Sequence, residues 1–476
     1  MPVIDIPFIK GAPSSAPALN DDEQLSPCSF HELSVKSLAW RERLSADRKQ
    51  LIFLFIENKI SGVQAFLGAI SSGHAVVLLD PELSAENQIS LVNTYQPEKI
   101  ITPKPDIFDS YLAIFQGELT LLENDKNIST SDIHPDLTVL LSTSGSTGSP
   151  KFVRLTLDNV VHNASVVANV LNIKSSDIAT GHLALHYSYG LSILTSFLNS
   201  HSMVSLTKMT FMDRGFWKMI NERQISHLPG VPFHYQMMAK LRFERLKLDG
   251  ITVLTQAGGN LDVATRKIAH EFMSEKDGAF HVMYGQTEAS PRITTLSHED
   301  FHNYPGSVGT ALPGGQIEIV GPNNIEVATG EKGEIFYKGP NVMMGYAENR
   351  TDLSLGDVNE GILKTGDIGY LNEKGLLYIT GRSKRVGKVY GWRINLDEVE
   401  SYIAQSTLNA VLQIGDSLKI CIPFECKFDQ DALLDRLESK YSLPRRIYHF
   451  VSIKEIPTNT RNKTDYNQLE LEMINV

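Results

Sequence analysis

Leu140-Leu141-Ser142-Thr143-Ser144-Gly145-Ser146-Thr147-Gly148-Ser149-Pro150-Lys151 is a run in which eight of the last ten residues are Ser, Thr or Gly. No other stretch is so dense in hydroxyls and so poor in bulk. It follows an apolar, strand-like segment, Leu137 to Leu141. Two glycines three apart let the backbone approach a ligand and turn N–H groups inward. The hydroxyls add donors and Lys151 adds positive charge, which is the chemistry of gripping a polyphosphate. The competing reading is a solvated Ser/Gly loop with no special role. An ordinary Walker loop is disfavoured, because Lys151 is followed by Phe152 rather than by a metal-binding hydroxyl. Pro150 also argues against a helix that begins at the lysine.

Outward from this loop, apolar strand-like runs alternate with helical patterns. On the N-terminal side, residues 1 to 30 read as an irregular lead-in with Pro13, Pro17 and Pro27. A helix is expected from Phe30 to about Ala46, a strand over Leu51–Phe55 and a helix from Ile60 to Ser72. A strand over His74–Leu79, a helix over Ala85–Tyr95 and a short strand at Ile100-Ile101 follow. On the C-terminal side, the pattern predicts a helix over Leu157–Val170, a strand over Ala179–Leu185 and a helix over Gly190–Leu198. Strands are expected around Val204–Leu206, His227-Leu228, Val253-Leu254 and Phe280–Tyr284, with helical patterns between them. This alternation indicates an α/β fold with a mainly parallel sheet. From about Gly309 glycine turns multiply and strands shorten, as in a β-rich subdomain (309–381). Beyond Arg382 the pattern becomes mixed α and β. The expected organisation is a large N-terminal domain of α/β subdomains plus the β-rich subdomain (1–381), then a small α+β C-terminal domain (382–476).

At 476 residues the chain is too long for one ordinary core. Apolar and charged contents of 42% and 21% suit a globular protein. The net charge of −11 gives no support to non-specific binding of nucleic acid or of an anionic membrane. Three cysteines, Cys28, Cys421 and Cys426, suggest a reducing compartment and no disulfide framework. With no basic, apolar leader and no run of membrane-spanning length, a cytoplasmic location is expected.

Further motifs lie along the chain: Gly258-Gly259-Asn260, Tyr284-Gly285-Gln286-Thr287-Glu288, Thr365-Gly366-Asp367, Gly381-Arg382, Gly391-Trp392-Arg393-Ile394, and Pro457 with Asn462-Lys463. Each alone is only moderately specific. A Gly-rich turn, a strand-end Glu or a loop Lys is usually structural or solvated. In this order and spacing, over roughly residues 30 to 470, the chain resembles the adenylate-forming superfamily of acyl- and aryl-CoA synthetases, adenylation domains and luciferases.

The resemblance implies roles for these residues. Thr143, Ser144, Gly145, Ser146, Thr147, Gly148 and Lys151 match the loop that holds the β- and γ-phosphates of ATP. Tyr284, Gly285, Gln286, Thr287 and Glu288 are similar to the family's Y-G-x-T-E motif. There Tyr284 suits adenine stacking, Thr287 an α-phosphate contact and Glu288 a Mg²⁺ ligand; one carboxylate plus phosphate oxygens satisfies that ion. Gly258, Gly259 and Asn260 match the turn that lines adenine. Asp367 fits the ribose-binding Asp, and Arg382 a second ribose or phosphate contact. Lys463 matches the catalytic Lys, here preceded by Asn462 instead of the usual Gly. Lys384 stands at the hinge about which the family's C-terminal domain swings; it is equally a surface charge beside Arg382 and Arg385.

One departure bears on the acid. Where the family often has P-L-x-H-x-x-G, this chain has Ala184-Leu185-His186-Tyr187-Ser188-Tyr189-Gly190. Tyr187 takes the place of a common gating His. Two tyrosines and a His at a strand end are either core packing or a pocket wall. Amino-acid-activating domains place an Asp in this region, but no acidic residue occurs between Asp177 and Asp213. His186, Tyr187, Tyr189, Gly190, Val231, Ala257 and Ala289 are the expected substrate pocket. The resemblance implies an AMP-forming ligase that uses Mg-ATP to activate a small carboxylic acid. It passes the acyl group to a thiol of CoA or of a carrier-protein phosphopantetheine acting in trans, or to an amine. The alternatives are a stand-alone amino-acid adenylation enzyme and a non-catalytic nucleotide-binding protein.

Overall fold

The computed structural model describes residues 6–24, 26–124, 132–142, 151–246, 248–322, 324–382, 385–389, 392–415, 417–441, 443–459 and 463–474. The chain divides into two compact units, one of residues 1–317 with 337–363 and one of residues 318–336 with 364–476.

Two sheets organise the described residues of the first unit. In the eight-stranded sheet, Leu137–Ser142, Ala75–Leu79, Leu51–Phe55 and Lys99–Thr102 lie side by side and parallel. Every residue of Leu51–Phe55 and of Ala75–Leu79 is buried. Continuous apolar runs of this kind belong to parallel strands covered on both faces. In the nine-stranded sheet, Ala279–Tyr284, Val253–Gln256, His227–Gly230, Ile178–Gly181, Met203–Leu206 and Pro17–Asn20 are parallel in that order. Helix starts are written locally in the sequence. Ser29 caps helix Phe30–Arg43 reciprocally with Glu32, and Thr156 caps helix Leu157–Val170 with Asn159.

Three expectations are corrected. The lead-in is not wholly irregular, because Pro17–Asn20 pairs with Met203–Leu206, Leu19 opposite Val204. Its proline is the first residue of the strand, where the missing N–H does least harm. The strand expected to reach Leu185 stops at Gly181. There Asn58 donates to the carbonyls of Gly181 (2.9 Å) and Leu183 (3.2 Å) and accepts from the Leu185 N–H (3.1 Å), which holds the chain out of the sheet. The helix expected from Gly190 begins two residues earlier, as Ser188–Asn199.

In the second unit, Gln316–Val320, Gly333–Lys338, Ile362–Leu371 and Leu377–Arg382 form a four-stranded sheet. A three-stranded sheet of Ala410–Ile414, Ser417–Pro423 and Tyr448–Ile453 shares a core with helices Leu396–Ile403 and Gln430–Tyr441 through Val399, Ile403, Val411, Ile420, Leu433 and Leu437. Sequence texture groups the β-rich stretch with the N-terminal residues, whereas packing divides it, residues 318–336 and 364–381 going with the C-terminal ones and 309–317 and 337–363 with the N-terminal ones. Helix Leu396–Ile403 is tied to that stretch by the Arg382 N–H, which donates to Asp397 Oδ2 (2.9 Å), and by the Lys332–Glu398 ion pair. Among the described residues no helix is long and apolar enough to cross a membrane.

The first unit buries several imidazoles. Burial holds His227, His234 and His281 down at about 4. An imidazole kept neutral by the fold takes up no proton as pH falls through 6.5, while the unfolded chain does. Stability is therefore full above about pH 6.5 and is lost as pH drops towards 4. Urea unfolding at pH 7.5 and at pH 5 is expected to differ by about 2 kcal/mol for each of the three. A flat profile across that window contradicts the buried, neutral state.

Candidate active site

In an open parallel sheet, ligands bind beyond the carboxyl ends of the strands. Four such ends lie side by side in the nine-stranded sheet, with Gly230 paired to Gln256 and Gln256 to Val282. The connections that leave them are 182–187, Val231, Ala257–Asn260 and Gly285-Gln286. These four connections contain most of the expected pocket and adenine residues. The Ala257 N–H donates to the Gly230 carbonyl (3.1 Å), which binds two of them together.

The Tyr284–Glu288 segment turns back on itself. A Cβ at Gly285 would stand 1.8 Å from the Pro291 carbonyl oxygen, so only glycine fits. The Ile293 N–H returns to the Tyr284 carbonyl (2.9 Å). Gln286 leads into a short helical turn, Thr287–Ala289. Buried Asn341 holds the far side, donating to the carbonyls of Ala289 (2.6 Å) and Arg292 (2.9 Å). Thr287 is buried, and its hydroxyl lies 3.0 Å from that of Ser188, the first residue of helix Ser188–Asn199.

Glu288 is half-buried and accepts a 2.8 Å hydrogen bond from the Tyr346 hydroxyl. Burial pushes the Tyr346 phenol well up, and Glu288 pushes it further, so Tyr346 stays a neutral donor. The Lys151 ammonium sits 3.8 Å from the centroid of the same ring. Tyr346 therefore joins the last residue of the hydroxyl-rich loop to the proposed metal carboxylate. It reaches this place because Gly345–Ala347 pairs with Phe152–Thr156, Tyr346 opposite Val153. Strands Leu137–Ser142 and Phe152–Thr156 are antiparallel, Ser142 opposite Phe152. Thr143, Ser144, Gly145, Ser146, Thr147 and Gly148 connect them and lie outside the described residues. A hard carboxylate beside a hydroxyl, Glu288 next to Thr287, is the donor set that Mg²⁺ shares with phosphate oxygens.

The acid-pocket residues separate. Tyr187 is half-buried, and its hydroxyl lies 2.6 Å from where a Cβ at Gly258 would stand. Gly258 adopts φ +84° there. Val231 approaches the same point at 3.2 Å, and Gly259 packs on Pro232. Tyr189 lies in the core, its hydroxyl donating to the Thr255 carbonyl (2.9 Å). Gly190 is where the segment crosses itself, since a Cβ would meet the Ala184 carbonyl oxygen at 2.2 Å. His186 Nε2 lies 3.7 Å from Asp80, just after strand Ala75–Leu79. Ala257 and Ala289 are buried. Asn260 Oδ1 accepts from the Arg266 guanidinium (3.3 Å). Asn58, Asn341 and Tyr346 carry much of this geometry and stand in no motif; only the pairing of distant strands reveals Tyr346.

Within the second unit, Asp367 and Arg382 face each other across antiparallel strands. Arg382 Nε is 3.3 Å from Asp367 Oδ1, with Asp367 buried and Arg382 exposed. Lys463 is tied by hydrogen bonds to Asn459. Its N–H donates to Asn459 Oδ1 (3.2 Å), its carbonyl accepts from the Asn459 N–H (2.8 Å), and the Asp465 N–H returns to the Pro457 carbonyl (2.8 Å). Lys384 lies outside the described residues.

Residues 11–347 match the family described as "AMP-binding enzyme". The chain belongs to that family. Relatives along nearly the whole length of AMP-binding enzymes include a D-alanine–D-alanyl carrier protein ligase of Bacillus licheniformis. It is 25% identical, covering 98% of each chain. A 2-succinylbenzoate–CoA ligase of Bacillus subtilis is 28% identical over 93% of this chain and 92% of its own. Among solved structures, o-succinylbenzoate CoA synthetase (MenE) from Bacillus subtilis, in complex with the acyl-adenylate intermediate OSB-AMP, superposes with a TM-score of 0.75. It is 25% identical, covering 96% of this chain and 95% of that one. The chain is thus an enzyme of the AMP-forming ligase family, with the large and small α/β parts of its relatives.

Removing the Tyr346 hydroxyl tests the Lys151–Tyr346–Glu288 link. Tyr346→Phe keeps the ring under Lys151 and deletes the bond to Glu288. ATP–pyrophosphate exchange is expected to slow about 10-fold, with a raised KM for Mg-ATP. Unchanged constants contradict a role for that bond.

Proposed function

We propose that the chain activates a small carboxylic acid with Mg-ATP to an acyl-adenylate and delivers the acyl group to a thiol. The observation that carries this reading is the link from Lys151 through Tyr346 to Glu288. Lys151, read as a phosphate-loop cation, and Glu288, read as a metal ligand, belong to one contact chain, which supports the reading. Glu288 would hold Mg²⁺ together with the nucleotide, and the ion would supply charge neutralisation.

The acid's carboxylate attacks the α-phosphorus in line, and the bond to the pyrophosphate oxygen breaks. Thr287 donates to the α-phosphate, its hydroxyl oriented by Ser188. Lys151 and the hydroxyls of 143–148 receive the leaving pyrophosphate. Asp367 accepts from the ribose hydroxyls with Arg382 beside it, and Lys463 offsets the charge of the approaching anions. Tyr284 stacks on adenine, and Gly258 and Gly259 let the base lie close to the backbone. Lys384 serves as the hinge between the two half-reactions. The thiolate then attacks the acyl carbon and AMP leaves.

The relatives support two thiols, CoA in the 2-succinylbenzoate ligase and a carrier protein in the D-alanyl ligase. The absence of acidic residues between Asp177 and Asp213 weighs against an amino acid anchored there. Acid-dependent ATP–pyrophosphate exchange, run over acids and amino acids and followed by thioester detection with CoA or carrier protein, tests the whole reading. Lys463→Ala is expected to lower exchange about 100-fold. Exchange that survives this substitution intact overturns the role given to Lys463.

A further inference from the structure

Among the described residues of the first unit, four arginines are buried: Arg154, Arg266, Arg292 and Arg350. Three donate to acceptors of the protein, although the Nε of Arg266 and that of Arg350 have none among the described residues. Arg154 donates to the carbonyls of Tyr346, Met344, Leu355 and Gly356. Arg350 forms a bidentate pair with Glu98, at 2.6 and 3.0 Å. Arg266 donates to the Ser307 carbonyl (3.1 Å) and to Asn260 Oδ1 (3.3 Å).

Arg292 differs. It is 2% exposed, and its Nε and Nη2 have no hydrogen-bond partner among the described residues. Its Cζ lies 3.9 Å from the centroid of the Tyr189 ring. Burial presses on the charged form, and the electrostatic neighbours that oppose it are the phenols of Tyr189 and Tyr187, not a carboxylate. A guanidinium remains protonated in proteins. A ring face returns only part of what burying its charge costs. Two buried guanidinium nitrogens without acceptors are an unusual feature of a native interior.

The position of Arg292 is informative. It follows Glu288 by four residues in the same turn, and its carbonyl is tied down by Asn163 (3.2 Å) and Asn341 (2.9 Å). Tyr189, under the guanidinium, is bonded to Thr255, two residues before Ala257. Tyr187 is the residue whose hydroxyl meets Gly258. The cation thus shares its neighbours with the expected acid pocket.

We propose that Arg292 is the counter-charge for a second carboxylate on the substrate, so that the acid activated here is a dicarboxylic acid. The proposal rests on the acid-activating reading above. A guanidinium fork matches a carboxylate bidentately. Clamping the attacking carboxylate in this way would blunt its nucleophilicity, so the group held is the one that does not react. The neighbours of Arg292 are aromatic rings, Tyr189 beneath it and Tyr187 nearby, and a low-polarity setting of that kind strengthens such a pair and penalises a neutral substitute.

The test pairs α,ω-dicarboxylic acids of three to six carbons, and the benzenedicarboxylic acids, each with its monomethyl ester in ATP–pyrophosphate exchange. The best diacid is expected to exceed its half-ester by about 100-fold in kcat/KM. Arg292→Gln is expected to bring the two within a few-fold, and Arg292→Lys to restore part of the difference. Calorimetric titration of the diacids into enzyme saturated with AMP reads binding without catalysis. There Arg292→Gln is expected to abolish diacid binding while AMP affinity is kept. A half-ester as good as its diacid overturns the proposal. So does an Arg292→Gln variant that melts earlier but keeps the diacid preference, or one whose only defect is in binding ATP. If no acid of any kind supports exchange, the acid-activating reading fails. The titration then still decides about Arg292, and wild-type protein that binds no diacid refutes its assignment.

Discussion

The Pro291 carbonyl oxygen stands so close to Gly285 that no side chain fits between them. This contact sets the path of the chain after strand Ala279–Tyr284. It turns Thr287 towards Ser188, brings Glu288 under the Tyr346 hydroxyl, and returns Ile293 to the strand it left. The turn is then secured from outside by Asn341, whose amide takes two carbonyls while its Oδ1 accepts from the Tyr337 hydroxyl (2.7 Å). Buried amides used this way fix a loop as firmly as a strand ladder does, because each bond lost would strand a polar group without water.

Charge is handled by the same economy of partners. Glu98 is buried, takes the fork of Arg350 and also accepts from the Leu51 N–H (2.8 Å), which fastens residue 350 to the central parallel sheet. Arg154, fully buried, is surrounded by carbonyls of the strand and turn that position Tyr346. These fixed ions carry the structure. The ions assigned to chemistry, Lys151 and Glu288, are only half-buried and meet at a phenol. A site that must bind and release a polyanion needs cations that are positioned but not already neutralised.

Much of the element order was legible because hydrophobic period and capping are local. Leu51–Phe55, Ala85–Tyr95 and Leu157–Val170 have the bounds expected of them. Pro17–Asn20 was not legible, because its partner strand lies far along the chain. The division of the β-rich stretch between the two units was not legible either, because contacts such as Arg382 to Asp397 and Lys332 to Glu398 are marked by no change of texture. Within the site, the glycine turns and the Tyr284–Glu288 segment could be read from residue type and spacing. Whether Tyr187 or Tyr189 faces the core could not, since both are aromatic residues at one strand end. The structure separates them through Gly258 and Thr255. Tyr346 and Arg292 escaped because what marks them is the neighbours that strand pairing and the Gly285 turn bring to them.

In the proposed reaction a carboxylate attacks the α-phosphorus of ATP. Isotope transfer measures it most directly. The acid that best supports exchange, labelled with ¹⁸O in its carboxylate, is carried through one turnover to thioester, and the products are weighed. One labelled oxygen in AMP and none in pyrophosphate is the predicted result. Label in pyrophosphate or inorganic phosphate, or AMP without label, contradicts it.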